Sequence, residues 1–191
     1  MRCIVSDHVE TDLKREAEAY REAGIAFSSH QLRRAGGPAL IEACGDAEVL
    51  VVDQARISAS VIAGLTQCQL IIRHGDGYDN LDVEAATKAG IICANEPGFW
   101  SREAAEQAFA MAMAAALRIP LQQEIARRPR VGTNAGWDLH RAMPFRSFGS
   151  LTVGIVGYGK IGAHAVRLFG SVAARVLVSD PYVAESSIRS A

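Results

Sequence analysis

Through residues 1–99, short apolar runs alternate with stretches in which apolar residues recur every three or four positions. Cys3–Val5, Ile25–Phe27, Val49–Val52, Leu70–Ile72 and Ile91–Ala94 are compact apolar runs, the pattern of short strands. Between them, Thr11–Ala23 sets Leu13, Ala17 and Tyr20 at helical spacing, and Pro38–Ala43, Ser58–Leu65 and Val83–Ala89 predict shorter helices. Strand and helix in alternation predict a parallel sheet with helices on its faces.

The pattern changes after Pro97 and Gly98, which punctuate the chain. Ser101–Leu117, reading SREAAEQAFAMAMAAAL, consists of strong helix formers, with Ser101 placed to serve as N-cap. Apolar residues surround most faces of its later turns, so this helix is expected to be covered on several sides, between domains or between subunits. Its methionines read as core filler. A short helix over Leu121–Arg127 and an irregular stretch up to Ser150 follow. From Leu151 to Asp180 the order is apolar run, glycine-rich hexamer, amphipathic segment, apolar run and aspartate, which predicts strand, tight turn, helix and strand.

Composition narrows the class of function. A hydrophobic share of 49% in 191 residues supports a substantial core, and a formal net charge of -1 gives no general attraction for nucleic acid or an anionic membrane. The cluster Arg127, Arg128, Arg130 lacks interleaved aromatics and reads as a solvated face. Cys3, Cys44, Cys68 and Cys93 show neither CxxC nor metal-ligand spacing, as in small buried hydrophobes of a reducing compartment, and no metal site is expected. The opening MRCIVSD has no signal-peptide run, and the longest apolar segment, Ala108–Leu117, is about half of the roughly 20 residues a membrane span needs. A cytoplasmic protein without membrane partners is the expectation.

Two stretches carry candidate chemistry. In Gly157-Tyr158-Gly159-Lys160-Ile161-Gly162, the first glycine permits the turn, the second lets a pyrophosphate approach the backbone, and the third allows helix and strand to pack closely. The following helix offers free N–H groups to phosphate. Asp180 stands at the spacing expected of the acid that binds the ribose hydroxyls, and its charge repels a 2′-phosphate, favouring NAD over NADP. The second stretch is Arg73-His74-Gly75-Asp76-Gly77-Tyr78-Asp79-Asn80-Leu81-Asp82 at the carboxyl end of a predicted strand. Its glycines free the backbone to form an anion-binding nest, with Arg73 as a nearby positive charge for a carboxylate or a phosphate. A plain glycine turn, capped by Asp79 or Asp82 with Arg73 solvated, is the alternative.

With these blocks, NEPGFWSREAAEQA and Gly136-Trp137-Asp138 in order, the chain resembles the D-isomer-specific 2-hydroxyacid dehydrogenases, the group that includes phosphoglycerate dehydrogenase and the C-terminal binding proteins. The resemblance implies an α/β fold: a flavodoxin-like parallel-sheet substrate domain over residues 1–99, then over 100–191 the first part of a Rossmann NAD-binding domain. It implies that His74, Gly75, Asp76 and Gly77 hold the carboxylate of a small 2-hydroxy or 2-keto acid through backbone N–H groups, with Arg73 matching a common arginine. Gly157, Tyr158, Gly159, Lys160, Ile161, Gly162, Asp180 and Pro181 would lie against NAD, and the alanine-rich helix would join subunits into a dimer.

The match has departures. Gln107 stands where a histidine often follows the residue matching Glu106, and Phe99 and Trp100 replace smaller residues. Family members carry the catalytic arginine, carboxylate and acid-base histidine further along than Ala191, so no catalytic residue is assigned and the fragment is expected to be inactive alone. His8, His30, His140 and His164 lack a motif that would install a replacement. An unpaired strand edge in the second half predicts association. A non-catalytic NAD-binding scaffold and a ligand-free flavodoxin-like module are the alternatives to an oxidoreductase.

Overall fold

The computed structural model describes residues 1–127 and 146–189. These divide into two compact units, Met1–Phe99 and Trp100–Ala191.

In the first unit, strands β1 (Arg2–Val5), β2 (Ala26–Ser29), β3 (Val49–Val52), β4 (Leu70–Arg73) and β5 (Ile92–Ala94) form one sheet in the order β2-β1-β3-β4-β5, every pair parallel. This is the flavodoxin-like order. Helices α1 (Lys14–Glu22), α2 (Gly37–Cys44), α3 (Ala59–Gly64) and α4 (Val83–Lys88) connect the strands. Side chains alternate along each strand. Ile4, Leu50, Val52 and Ile71 meet Leu40, Val61, Ile62 and Ala86 in the main core. Val5, Val51 and Ile72 line the other side with Leu13 and Tyr20, and Tyr20 stacks on Phe27 with ring centroids 5.0 Å apart.

The first helix starts three residues later than its apolar spacing predicts. Asp12 accepts a hydrogen bond from the Lys14 N–H at 3.2 Å, so it bends the chain ahead of α1 and lies outside it.

The second unit contains α5 (Ser101–Ala116), α6 (Ile119–Arg127), a 3-10 turn (Phe148–Ser150), β6 (Thr152–Val156), α7 (Lys160–Gly170), β7 (Arg175–Ser179) and α8 (Glu185–Arg189). Strands β6 and β7 pair in parallel, giving the strand-turn-helix-strand unit expected from the glycine pattern. Phe169 of α7 anchors the core, 5.1 Å from Phe109 edge-on and 6.0 Å from Phe148 stacked. Around it lie Ala105, Ala112, Met113 and Ala116 of α5, on one helical stripe.

One expectation for α5 needs correction. Trp100 holds the N-cap position and makes no side-chain cap, while Ser101 is the first helical residue with its Oγ buried and unpartnered. Within the second unit α5 covers one face: Met113 joins the core, whereas Met111 is 63% exposed.

Candidate functional site

The carboxyl ends of β1, β3 and β4 gather the polar residues of the first unit. Asp7, 1% exposed, follows β1 and accepts four hydrogen bonds: from Ser6 Oγ at 2.7 Å and from the backbone N–H groups of Asp53, Gln54 and Ala55 at 3.2, 2.7 and 3.1 Å. It therefore clamps the turn leaving β3. Asn80 ties the same turn to the loop after β4, its Nδ2 donating to the carbonyls of Asp53 and Ala55 at 3.3 and 2.9 Å. Because Val52 pairs with Arg73 in the ladder, Asp53 comes beside the Arg73 side chain.

Arg73 is turned inward. Its Nη1 donates to Asp53 Oδ1 at 3.4 Å and also to the His74 carbonyl, and the two side chains are 15% and 9% exposed. The pairing differs from both sequence readings, the Arg73 charge offered to an anion and the solvated Arg73 of the plain-turn alternative. Arg73 Nε and Asp53 Oδ2 are buried without a hydrogen-bond partner among the described residues. Gly75 takes φ 145°, and a Cβ there would run into the Arg73 guanidinium.

The loop amides separate into two sets. The His74 N–H donates to the Val52 carbonyl at 2.8 Å and the Gly75 N–H to the Arg73 carbonyl at 2.9 Å. Asp76 and Gly77 N–H have no partner among the described residues, so of the amides expected to face an anion these two are open and those of His74 and Gly75 are not. Asn95 Nδ2 donates to the Asp76 carbonyl at 2.7 Å and the Glu96 N–H to the Gly75 carbonyl at 3.1 Å, fixing the loop from the β5 side. Asp82 caps α4 through the Ala85 N–H at 3.0 Å, as one of the plain-turn alternatives required. His74 is 45% exposed with Nδ1 3.8 Å from Glu10, and the pair lines a cavity of about 310 Å³ that also holds His8, Tyr20 and Glu96.

In the second unit the glycines of the β6–α7 turn show three different needs. Gly157 has φ 95°, which favours glycine. Gly159 caps α7, and a Cβ built there meets nothing within 4 Å, leaving room for a ligand against the backbone. A Cβ on Gly162 would collide with the Gly157 carbonyl, so α7 approaches the turn as closely as it does only with glycine. The N–H groups of Gly159, Lys160, Ile161 and Gly162 are without partners among the described residues, at the positive end of an eleven-residue helix.

Asp180 closes this turn from the end of β7. Its Oδ2 accepts from the Tyr158 N–H at 2.6 Å, and its Oδ1 from Tyr182 and Val183 N–H at 2.7 and 3.0 Å. These bonds, Tyr158 first, hold the carboxyl below the usual carboxylate range. Of the roughly four lone-pair sites of a carboxylate, three are thus taken, and the one left, on Oδ2, can accept from a hydroxyl. Pro181 is exposed beside it, and Lys160 and Ile161 are exposed on the first turn of α7.

The remaining sequence candidates fall elsewhere. Arg128, Arg130, Gly136, Trp137, Asp138 and His140 lie outside the described residues. Gln107 is exposed on α5, and Phe99 and Trp100 are 59% and 58% exposed. All four cysteines are free, and burial pushes the Cys44 thiol up to about 11. Among the described residues there is no metal-binding group of three ligands and no helix long and apolar enough to cross a membrane. Asp7, Asp53 and Asn80 are not singled out by the sequence; the available signal for the two acids is their place one or two residues after an apolar run.

Comparison with known proteins gives consistent relatives. The family model described as D-isomer specific 2-hydroxyacid dehydrogenase, catalytic domain, matches residues 3–183. A D-3-phosphoglycerate dehydrogenase of Methanocaldococcus jannaschii is 34% identical over 184 residues, covering 96% of this chain and 33% of the relative. A glyoxylate reductase of Korarchaeum cryptofilum is 36% identical over 125 residues, covering 65% of this chain and 36% of the relative. The chain thus spans about a third of the length of these curated relatives. Among solved structures, NAD+-bound 3-phosphoglycerate dehydrogenase of Entamoeba histolytica superposes with a TM-score of 0.71 at 22% identity, over 96% of this chain and 55% of that one. D-lactate dehydrogenase of Aquifex aeolicus, complexed with NAD and lactic acid, gives 0.75 at 18% identity, over 98% and 54%. At these identities the superpositions establish the fold.

Proposed function

The chain belongs to the D-isomer specific 2-hydroxyacid dehydrogenase family, and from that premise we propose that it supplies the carboxylate-binding loop and the pyrophosphate-and-ribose half of the NAD site of an oxidoreductase acting on a D-2-hydroxy acid or its 2-keto partner. One observation carries the reading: Gly159 leaves open backbone at the start of α7 while Asp180 presents a carboxylate across the same turn. That pairing fits a dinucleotide, with N–H groups for the pyrophosphate and an acid for the adenosine ribose. Bound there, NAD would supply the hydride acceptor for the hydroxy-bearing carbon, and its reduced form the hydride donor for the keto acid.

The residues of this chain bind and orient. Gly159, Lys160, Ile161 and Gly162 N–H groups neutralise pyrophosphate without a full positive charge. Asp180 accepts from a ribose hydroxyl through Oδ2 and repels a 2′-phosphate. Asp76 and Gly77 N–H groups take the substrate carboxylate, and the clamp by Asp7, Asn80 and Asn95 fixes those donors before the ligand arrives. No residue of the described chain is assigned the proton transfer. Free, protonated thiols such as Cys44 accord with a reducing, cytoplasmic setting.

Replacing Asp180 by alanine tests the cofactor assignment. Calorimetric titration is expected to show NAD affinity falling about tenfold, near 1.4 kcal/mol, with NADP affected less. Equal loss for both nucleotides would count against the assignment.

We further propose that the open face of α5, with Met111 at its centre, joins two copies of the chain into a dimer.

A further inference from the structure

Building on the carboxylate-loop reading, we propose that Asp53 is a specificity-determining residue: by engaging Arg73 it removes the loop's cation from the ligand and restricts the site to 2-hydroxy or 2-keto acids without a second, phosphate-type anion. The positive charge of Arg73 is matched by Asp53 at 3.4 Å, and its Nη1 is also engaged by the His74 carbonyl. What the loop offers a ligand is two uncharged donors, the Asp76 and Gly77 N–H groups. Two neutral N–H groups suit one carboxylate; a phosphate dianion calls for charged, forked partners.

The surroundings work in the same direction. Asp79 Oδ2 lies 3.8 Å from where a Cβ on Gly77 would stand, and Glu96 is held beside Gly75 by its own N–H. A second negative group on the ligand would meet these carboxylates. Arg56, the nearest other arginine in sequence on the β3 side, lines a separate cavity together with Asp79 and Asp82.

Arg73 also has reason to stay where it is. The two orphaned atoms, Arg73 Nε and Asp53 Oδ2, belong to the same ion pair. Turning the guanidinium further toward Asp53 gives the two-pronged pairing that satisfies both. Swinging it out toward a ligand strands a carboxylate that is 9% exposed, an uncompensated buried charge.

The test compares D-glycerate with D-3-phosphoglycerate, the same 2-hydroxy acid without and with phosphate, titrated into the full chain at saturating NAD while the amide resonances of His74–Gly77 are followed. D-glycerate is expected to shift the Asp76 and Gly77 amides and to bind at least about tenfold more tightly than the phosphorylated acid. In Asp53→Asn, with folding checked by its melting curve, that ratio is expected to shrink to about threefold or less because Arg73 is released. If the phosphorylated acid binds as well as D-glycerate through the same amides, the inference fails and the carboxylate-loop reading stands. If neither acid shifts those amides, both fall. An unchanged ratio in a folded Asp53→Asn protein overturns the role given to Asp53, and the wild-type ratio decides the selectivity even where the variant does not fold.

Discussion

Single side chains in this protein act chiefly through what their burial removes from water. Tyr20 shows the effect outside the ligand loops: burial, then its hydrogen bond with Cys3 and the nearby charges of Cys3 and Glu16, push the phenol up to about 12. A folded-state value above the unfolded value of about 10 means that the native state keeps the proton longer. Its contribution to stability is complete below about pH 10 and is lost as pH rises through 12. Tyrosinate absorbance of the native protein should show an increment centred near 12 that Tyr20→Phe deletes; an unchanged titration in the variant would refute the assignment. The ligand loops show which residue roles the sequence discloses. Gly157, Gly162 and Asp180 are legible because their neighbours in space are near in sequence. The Arg73–Asp53 pair is not, since it depends on the β3–β4 register, and no motif marks Asp7, whose partners gather only when the turn after β3 folds over it.

At the scale of elements, packing contact decides what is replaceable. Where α7 meets the turn after β6, the contact is backbone against backbone, with no flexible side chain to yield. Gly162→Ala must move the helix or the Gly157 peptide. The expected result is a loss of about 2 kcal/mol or more in unfolding of the second unit, by analogy with overpacked cores, and loss of detectable NAD binding. A variant that melts normally and still binds NAD would show that the contact relaxes freely. The positions of β1, β3 and β4 are legible in the sequence because these strands are short apolar runs inside a parallel sheet, whereas β2, ending in Ser28 and Ser29, is less distinct. Helix ends were less legible. Asp12 bends the chain ahead of α1, and Ser101 enters α5 with its hydroxyl buried, because capping depends on the path of the preceding loop and not on residue type alone.

For the whole molecule the open question is what covers the apolar surface left bare. Two areas of the second unit qualify among the described residues: the α5 face at Met111, 63% exposed, and the outer face of β6 and β7, where Val156 is 92% and Leu177 46% exposed. An α5 of sixteen residues is about 24 Å long, and two copies packed along their open faces bring together Ala108, Met111 and Ala115 with Gln107 beside them. The sheet face is shorter and is crossed by Arg175 and Ser179, which favours α5 as the seam between copies. Sedimentation of the wild-type chain at micromolar concentration is expected to show a dimer. Met111→Glu buries a charge in that seam without touching the Phe109–Phe169 core, so it should give a monomer with the melting temperature of the first unit and the NAD affinity unchanged. A Met111→Glu protein that still sediments as a dimer would move the interface to Val156 and Leu177, and a wild-type monomer would remove the dimer altogether.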